Sequence, residues 1–172
     1  MANCAAILKE SPQGIDIYQP RNKAHDNILR EACCIEKKSF PKHMAMTGLL
    51  DREVSKPRTT LLFCRDAGTL VGFALLAVGG GGAGASITKL VVREERRRQG
   101  HGERLLRAAL SILRQLKAPS VQLHVDVERL AALALYEKLG FRREGLARDY
   151  YAVGRHALLM ALDLCGDAPP PV

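Results

Sequence analysis

The sequence predicts an α/β (α+β) domain: a mixed central sheet of about seven strands with helices on both faces. Three observations predict it. Strand-like runs and helix-like stretches follow one another in the order βααββ-βα-βα-ββ, which gives a mixed sheet. Val121, Leu123, Val125 and Val127 alternate with Gln122, His124 and Asp126, a clear period of two. The apolar run Ile87-Thr-Lys-Leu-Val-Val92 leads through a basic, glycine-spaced turn into a long helical stretch from Glu103 to Lys117. With 172 residues, 47% of them apolar, one domain with a substantial core is expected, spanning 14–165 between an N-terminal extension (1–13) and a tail (166–172).

Each element has its own reason. Ile15 and Ile17 alternate with polar neighbours, so Gly14 to Tyr18 reads as a strand. Asn22 to Lys38 places Ile28, Ala32 and Ile35 at helical spacing, and Pro41 stops that helix. Met44 to Val54 has weaker helical periodicity. Thr59 to Cys64 and Leu70 to Val78 flank Asp66-Ala-Gly68 and read as a hairpin. Gly79 to Gly84 has almost no side chains to pack and is expected to be a mobile loop. Ala85 to Val92 is the next strand. The helix after it buries Leu105, Leu106, Ala109, Leu110, Leu113 and Leu116, and Pro119 ends it. Arg129 to Leu139 is a helix closed by Gly140, where a left-handed residue fits. Arg142 to Val153 and His156 to Leu164 supply two final strands, and the three prolines of the tail predict disorder there.

Composition excludes several classes. No apolar run reaches the length of a membrane span, and the N-terminus lacks the basic-then-apolar layout of a secretion signal. The five cysteines, at 4, 33, 34, 64 and 165, form no C-x-x-C pair, so reduced thiols are expected and no metal site. The formal charge of +8 is compatible with nucleic acid, but aromatic residues are only 5% and tryptophan is absent, so base-stacking platforms are scarce. Arg93, Arg96, Arg97, Arg98, Arg104 and Arg107 cluster around the glycine-spaced turn, and a polyanionic small molecule explains them more economically than nucleic acid.

That turn carries the chemistry. Strand, basic turn with glycines, then helix is a layout for phosphate: the first helical N–H groups lack intrahelical partners and the helix dipole adds positive potential. Gly100 and Gly102 admit a ligand to the backbone without a Cβ in the way. The pattern Arg97-x-x-Gly100-x-Gly102 is neither the dinucleotide fingerprint nor the P-loop. It resembles the pyrophosphate loop of the GNAT acetyltransferase superfamily. Ala134-Leu-Tyr-Glu-Lys-Leu-Gly-Phe141 resembles the helix and turn that carry a catalytic tyrosine there. Arg148-Asp-Tyr-Tyr151, Gly154-Arg155 and Ala157-Leu-Leu-Met-Ala-Leu162 resemble the end of the ribosomal-protein N-terminal acetyltransferases and their eukaryotic relatives. The resemblance covers roughly residues 85 to 164 and implies the GNAT fold, with acetyl-CoA as co-substrate and no metal.

By that resemblance, backbone groups of Leu90, Val91 and Val92 pair with the pantetheine arm like an added strand. Arg97, Arg98, Gln99, Gly100, His101, Gly102 and Glu103 form the pyrophosphate cradle, with His101 a spacer. The family often has asparagine where this chain has Arg129, which puts the usual pantetheine contact in doubt, although arginine reaches a phosphate.

Acetyl transfer from a thioester to an amine needs a neutral amine, a stabilised intermediate and a proton for the departing thiolate. The candidate base is His124. It shares a strand face with Gln122 and Asp126, and histidine's ordinary pKa suits proton removal near neutrality. Asp126 is close enough along the strand to bias the ring. The resemblance adds that this position carries the base in related enzymes. The residues alone also fit a histidine that only hydrogen-bonds within the sheet. Tyr136 is the leaving-group candidate, since a phenol stays protonated at pH 7. Helix spacing alone makes it an aromatic beside Leu133 and Leu139, and the surrounding motif gives it the catalytic role. Tyr150 and Tyr151 resemble the region that closes over the acceptor, with cross-strand packing the other reading. Phe40 and Pro41 are candidates for the opposite wall. Ser86 stands where some relatives place a second catalytic tyrosine, so a two-base scheme is not expected.

The expected activity is acetyl transfer to a protein N-terminal α-amine by direct attack in a ternary complex. An α-amine, with pKa 7.7–8.0 against about 10.4 for lysine, costs about 3–4 kcal/mol less to neutralise. Lysine, polyamine or small-molecule amines are the alternative acceptors, and a non-catalytic acetyl-CoA-binding module is the alternative of another class. A monomer or weak dimer in the cytoplasm is expected, with the nucleus as alternative, and with neither nucleic acid nor membrane as partner.

Overall fold

The computed structural model describes residues 14–20, 22–39 and 50–165. The expected extension and tail, Pro41, Phe40 and most of the Met44–Val54 helix lie outside these. Along the chain run β1 (Asp16–Ile17), α1 (Ile28–Ser39), α2 (Leu50–Ser55), β2 (Thr59–Asp66), β3 (Thr69–Val78), β4 (Ala85–Val92), α3 (His101–Gln115), β5 (Ser120–Asp126), α4 (Leu130–Lys138), β6 (Arg142–Ala152) and β7 (Arg155–Asp163). The strands form one sheet ordered β1-β2-β3-β4-β5-β7-β6, antiparallel everywhere except between β4 and β5. This is the expected mixed seven-stranded sheet.

Strand alternation divides the core. Leu62, Ala74 and Leu76 point to the face covered by Leu105, Leu106, Ala109 and Leu113 of α3, joined by Leu133 and Tyr136 of α4. Leu61, Phe63, Phe73 and Leu75 point to the opposite face, covered by Ile28, Ala32 and Ile35 of α1 and Leu50 of α2. Both faces of β2 and β3 are buried, so those strands read as continuous apolar runs rather than alternating ones.

Several boundaries differ from the sequence reading. The first strand is only Asp16–Ile17. The first helix begins at Ile28 because the preceding residues fold around His25. Its ring packs between Tyr18 and Phe63 (centroids 6.1 and 5.0 Å) and its Nδ1 accepts the Gln19 N–H at 3.1 Å. α3 starts two residues early, at His101, with Gly100 as its left-handed N-cap (φ 81°). Leu116 lies just past its end and is only half-buried. The Gly79–Gly84 loop closes on itself through Gly79 N–H to Gly84 O (2.9 Å).

Candidate functional site

The site follows from a defect in the sheet. β4 and β5 pair only at Ala85↔Val121 and Ser86↔Gln122. Against β3, Leu75 pairs with Lys89 and Leu76 with Ile87, so Thr88 is an extra residue on β4. Its Oγ1 donates to Leu75 O at 3.2 Å. A bulge bends its strand, and from here β4 and β5 part. The Arg93 N–H donates to Val71 O at 2.9 Å, so alternation turns the amides of Leu90 and Val92 away from β3, toward the gap.

Two clefts open along this gap. The larger, about 930 Å³, is walled by Leu90–Val92, Arg96–Arg98, Gly100–Glu103 and the first turns of α4. The smaller, about 610 Å³, is walled by Ser86–Leu90, Gln122–Asp126, Tyr150 and Tyr151. Both touch Leu90, Arg129, Ala132 and Tyr136. They meet beside Tyr136.

The glycine turn forms one end of the larger cleft. A 3-10 turn, Glu94–Arg96, leads to Arg98 at φ 62° and Gly100 at φ 81°. The first helical hydrogen bond is Arg104 N–H to Gly100 O (3.0 Å), so the amides of His101, Gly102 and Glu103 precede it. A Cβ on Gly100 would meet nothing within 4 Å, and one on Gly102 would sit 3.6 Å from Leu135 and 3.7 Å from Val92, inside the cleft wall. The Nδ1 of His101 is buried without a hydrogen-bond partner. Amides that precede the first helical bond and open space at Gly100 fit a phosphate-bearing ligand.

The arginines around the turn separate on inspection. Arg93 turns to Glu31 (3.8 Å) and Glu95 (3.7 Å), and Arg96 to Asp66 (2.9 Å). Arg107 holds Glu103 Oε1 at 2.8 Å, while Lys138 holds its Oε2 at 2.7 Å. Lys138, then Arg107, keep the Glu103 carboxyl below the usual carboxylate range. Arg97 donates to Val92 O at 3.3 Å, and Gln99 donates to Glu95 O at 3.5 Å and is absent from the cleft wall. Arg97 and Arg98 remain in that wall as exposed cations.

Tyr136 is buried against Phe141 (centroids 5.7 Å). Burial, reinforced by Tyr151, pushes its phenol far above the usual tyrosine range. His124 is exposed on β5, and its ring stacks flat on Tyr150 (centroids 4.5 Å, interplanar angle 8°). The Tyr151 hydroxyl makes a long contact, 3.4 Å, to His124 O, and burial first, then Tyr150, push its phenol up to about 12. These rings reach β5 because β6 bulges: its register with β7 jumps from Ala147↔Ala157 to Ala152↔Arg155. Asp149 takes a left-handed conformation (φ 51°) there, its N–H donating to His156 Nδ1 at 2.9 Å.

Asp126 shares the strand face of His124 but is buried and committed elsewhere. Arg155 Nε donates to its Oδ2 at 2.6 Å and Glu128 N–H to its Oδ1 at 3.0 Å, so it does not pair with the His124 ring. Arg129 lines both clefts, and its Nη2 donates to Ser39 O at 3.0 Å. Phe40 and Pro41 lie outside the described residues. Sequence reasoning missed Thr88, the Asp149 bulge and a buried pair, Lys89 Nζ to Glu36 Oε1 at 2.8 Å, of which Lys89 lines the smaller cleft. Among the described residues no group of His, Cys, Asp and Glu could hold a metal, and no helix is long and apolar enough to cross a membrane.

The "Acetyltransferase (GNAT) family" model matches residues 26–141. The N-alpha-acetyltransferase of Sulfurisphaera tokodaii is 39% identical over 79 residues, 45% of this chain and 47% of that one, so the match spans about half the length of that relative. The N-alpha-acetyltransferase RimI of Mycobacterium tuberculosis is 36% identical over 116 residues, 66% of this chain and 72% of that one. The crystal structure of the ribosomal-protein-S18-alanine N-acetyltransferase from Escherichia coli superposes with TM-score 0.74 over 92% of this chain and 99% of that one, at 24% identity, a likeness of fold.

Proposed function

We infer that this chain, which belongs to the acetyltransferase (GNAT) family, is an acetyl-CoA-dependent N-acetyltransferase acting on protein N-terminal α-amines in the cytoplasm. The observation that carries the reading is the meeting of two clefts beside Tyr136, one built for phosphate and one lined by His124, Tyr150 and Tyr151. Acetyl-CoA supplies an acyl group activated as a thioester. The residues of this chain do the rest. The amides of His101, Gly102 and Glu103 and the cations of Arg97 and Arg98 bind the pyrophosphate. The open edge of β4 at Leu90–Val92 accepts the pantetheine arm as an added strand. An edge amide there can stabilise the developing oxyanion.

The acceptor lies in the smaller cleft, against Tyr150 and Tyr151. His124 takes the ammonium proton, directly or through a water, and the neutral amine forms the N–C bond; as the C–S bond breaks Tyr136 donates to the departing sulfur, and the second proton on nitrogen passes, directly or through a water, back to the Tyr136 oxygen. A phenol whose ionisation is pushed upward still carries its proton at working pH, so the proton is there to be donated as negative charge develops on sulfur. The shared wall of the two clefts supports direct transfer in a ternary complex, the reading taken here. Two relatives bearing the name N-alpha-acetyltransferase support the choice of acceptor.

A peptide library incubated with acetyl-CoA and read by mass spectrometry tests it. Acetyl groups on α-amines are expected. Products confined to lysine side chains, or turnover only with polyamines or small amines, would replace this acceptor with another.

A further inference from the structure

Arg129 stands at the wrong end of its own helix. A cation at a helix N-terminus opposes the dipole, and Arg129 makes no side-chain cap bond to α4. Its Nη2 instead donates to the carbonyl of Ser39, the last residue of α1 (3.0 Å). A carbonyl in the last described turn of α1 lies toward the negative end of that helix dipole, where a cation is favoured.

The turn that aims Arg129 is itself fixed. Its N–H donates to Asp126 O at 3.0 Å, and the Asp126 carboxylate holds Glu128 N–H and Arg155. One helical turn back in α1, the buried Glu36 is held by Lys89 of β4 at 2.8 Å. The last turn of α1 is therefore gripped from both strands that flank the gap: from β4 through Lys89, and from the end of β5 through Arg129. Ser39 lies in the wall of the larger cleft, and Lys89 in that of the smaller.

We infer that Arg129 is a positioning residue, a clamp that ties the last turn of α1 to the start of α4 at the junction of the two clefts and so fixes its own guanidinium in the wall of the smaller cleft, where the acceptor amine is presented. The consequence for the acceptor rests on the proposed function, which gives the smaller cleft to that substrate. The clamp itself rests only on the contacts above. A guanidinium committed to a carbonyl across the gap acts on the acceptor's fit more than on the grip of the pyrophosphate loop.

The test uses the full chain with Arg129→Gln and Arg129→Lys, and three readouts: hydrogen exchange of amides 36 to 39, the Kd of acetyl-CoA, and kcat and KM for a peptide acceptor. Losing a charge-assisted hydrogen bond predicts about tenfold faster exchange and about tenfold higher acceptor KM in Arg129→Gln, with the acetyl-CoA Kd within about twofold. Arg129→Lys, which keeps one charged donor, should recover part of both. Unchanged exchange overturns the clamp. So does a rise in acetyl-CoA Kd with acceptor KM unmoved, which would make Arg129 a donor-site ligand. If the unaltered protein acetylates no peptide, the functional reading falls, and the exchange rates alone decide the clamp.

Discussion

Replacing Gly102 by alanine separates a binding role from a folding role. Gly102 is the second residue of α3, at helical φ, and an added Cβ would make only ordinary contacts, 3.6 Å to Leu135 and 3.7 Å to Val92. Nothing in the fold resists the methyl group, and alanine in a helix is worth about 0.5–1 kcal/mol over glycine. For a domain of this size that is a rise in Tm of about 1–4 °C. The same methyl projects between Val92 and Leu135, both of which line the larger cleft. If the pyrophosphate sits on the amides of residues 101 to 103, as proposed, the methyl group narrows its approach. Losing one hydrogen bond to a charged group costs about 1.5–3 kcal/mol, or roughly 10- to 150-fold in affinity. Scanning calorimetry and titration calorimetry with acetyl-CoA read the two effects separately. The expected result is a protein at least as stable as its parent that binds acetyl-CoA at least tenfold more weakly. A variant equally or more stable that binds with unchanged affinity would refute the assignment of this turn to the pyrophosphate.

Other outcomes follow from the same geometry. Tyr136→Phe should lower kcat by about 10²–10⁴-fold with the acetyl-CoA Kd nearly unchanged, as for a lost general acid, and full kcat in that variant would leave Tyr136 as packing alone. In His124→Ala the acid limb of kcat/KM should flatten and the rate at neutral pH should fall while acetyl-CoA still binds; a surviving pH profile would show that the imidazole moves no proton. The phenols of Tyr136 and Tyr151 are pushed upward in the fold, so the folded state keeps protons that the unfolded chain loses above pH 10. Their stabilising contribution is complete below pH 10 and declines as pH rises toward about 12, where Tyr151 ionises. Tm should therefore fall as pH rises from about 10 toward about 12, and Tyr136→Phe should flatten that slope, a comparison that fails if both proteins give the same slope.

The glycine turn was legible because everything it needs is local. The end of β4, the glycines at 100 and 102 and the start of α3 lie within a dozen residues, and each has a conformational signature. The sheet was legible for a similar reason, since the apolar run of β4 and the period of two in β5 each lie within a single strand. The gap between those strands was not. It depends on Thr88 being one residue too many against β3, a register property that exists only when two strands are laid together. Asp126 shows the same limit. Alternation placed it correctly beside His124, but its partner, Arg155, is 29 residues away, so nothing nearby announced that the carboxylate was taken. The bulge at Asp149 needed a left-handed residue where no glycine stands, and the stacking of Tyr150 on His124 follows from it. Arg129 gave a signal that could have been read: a cation at a helix start needs an anion or a carbonyl from elsewhere.

The central claim is that the cleft beside Tyr136 presents an α-amine to the thioester. One peptide carrying both a free N-terminus and an internal lysine tests it within a single reaction at pH 7, with the two products resolved by mass spectrometry. The pKa difference of the amines alone favours the α-product by about 10²–10³-fold, and a cleft shaped for an N-terminus should widen that margin. The expected result is α-acetylation with lysine product at or near background, and loss of the α-product in Tyr136→Phe. Lysine acetylation equal to or exceeding α-acetylation would contradict it.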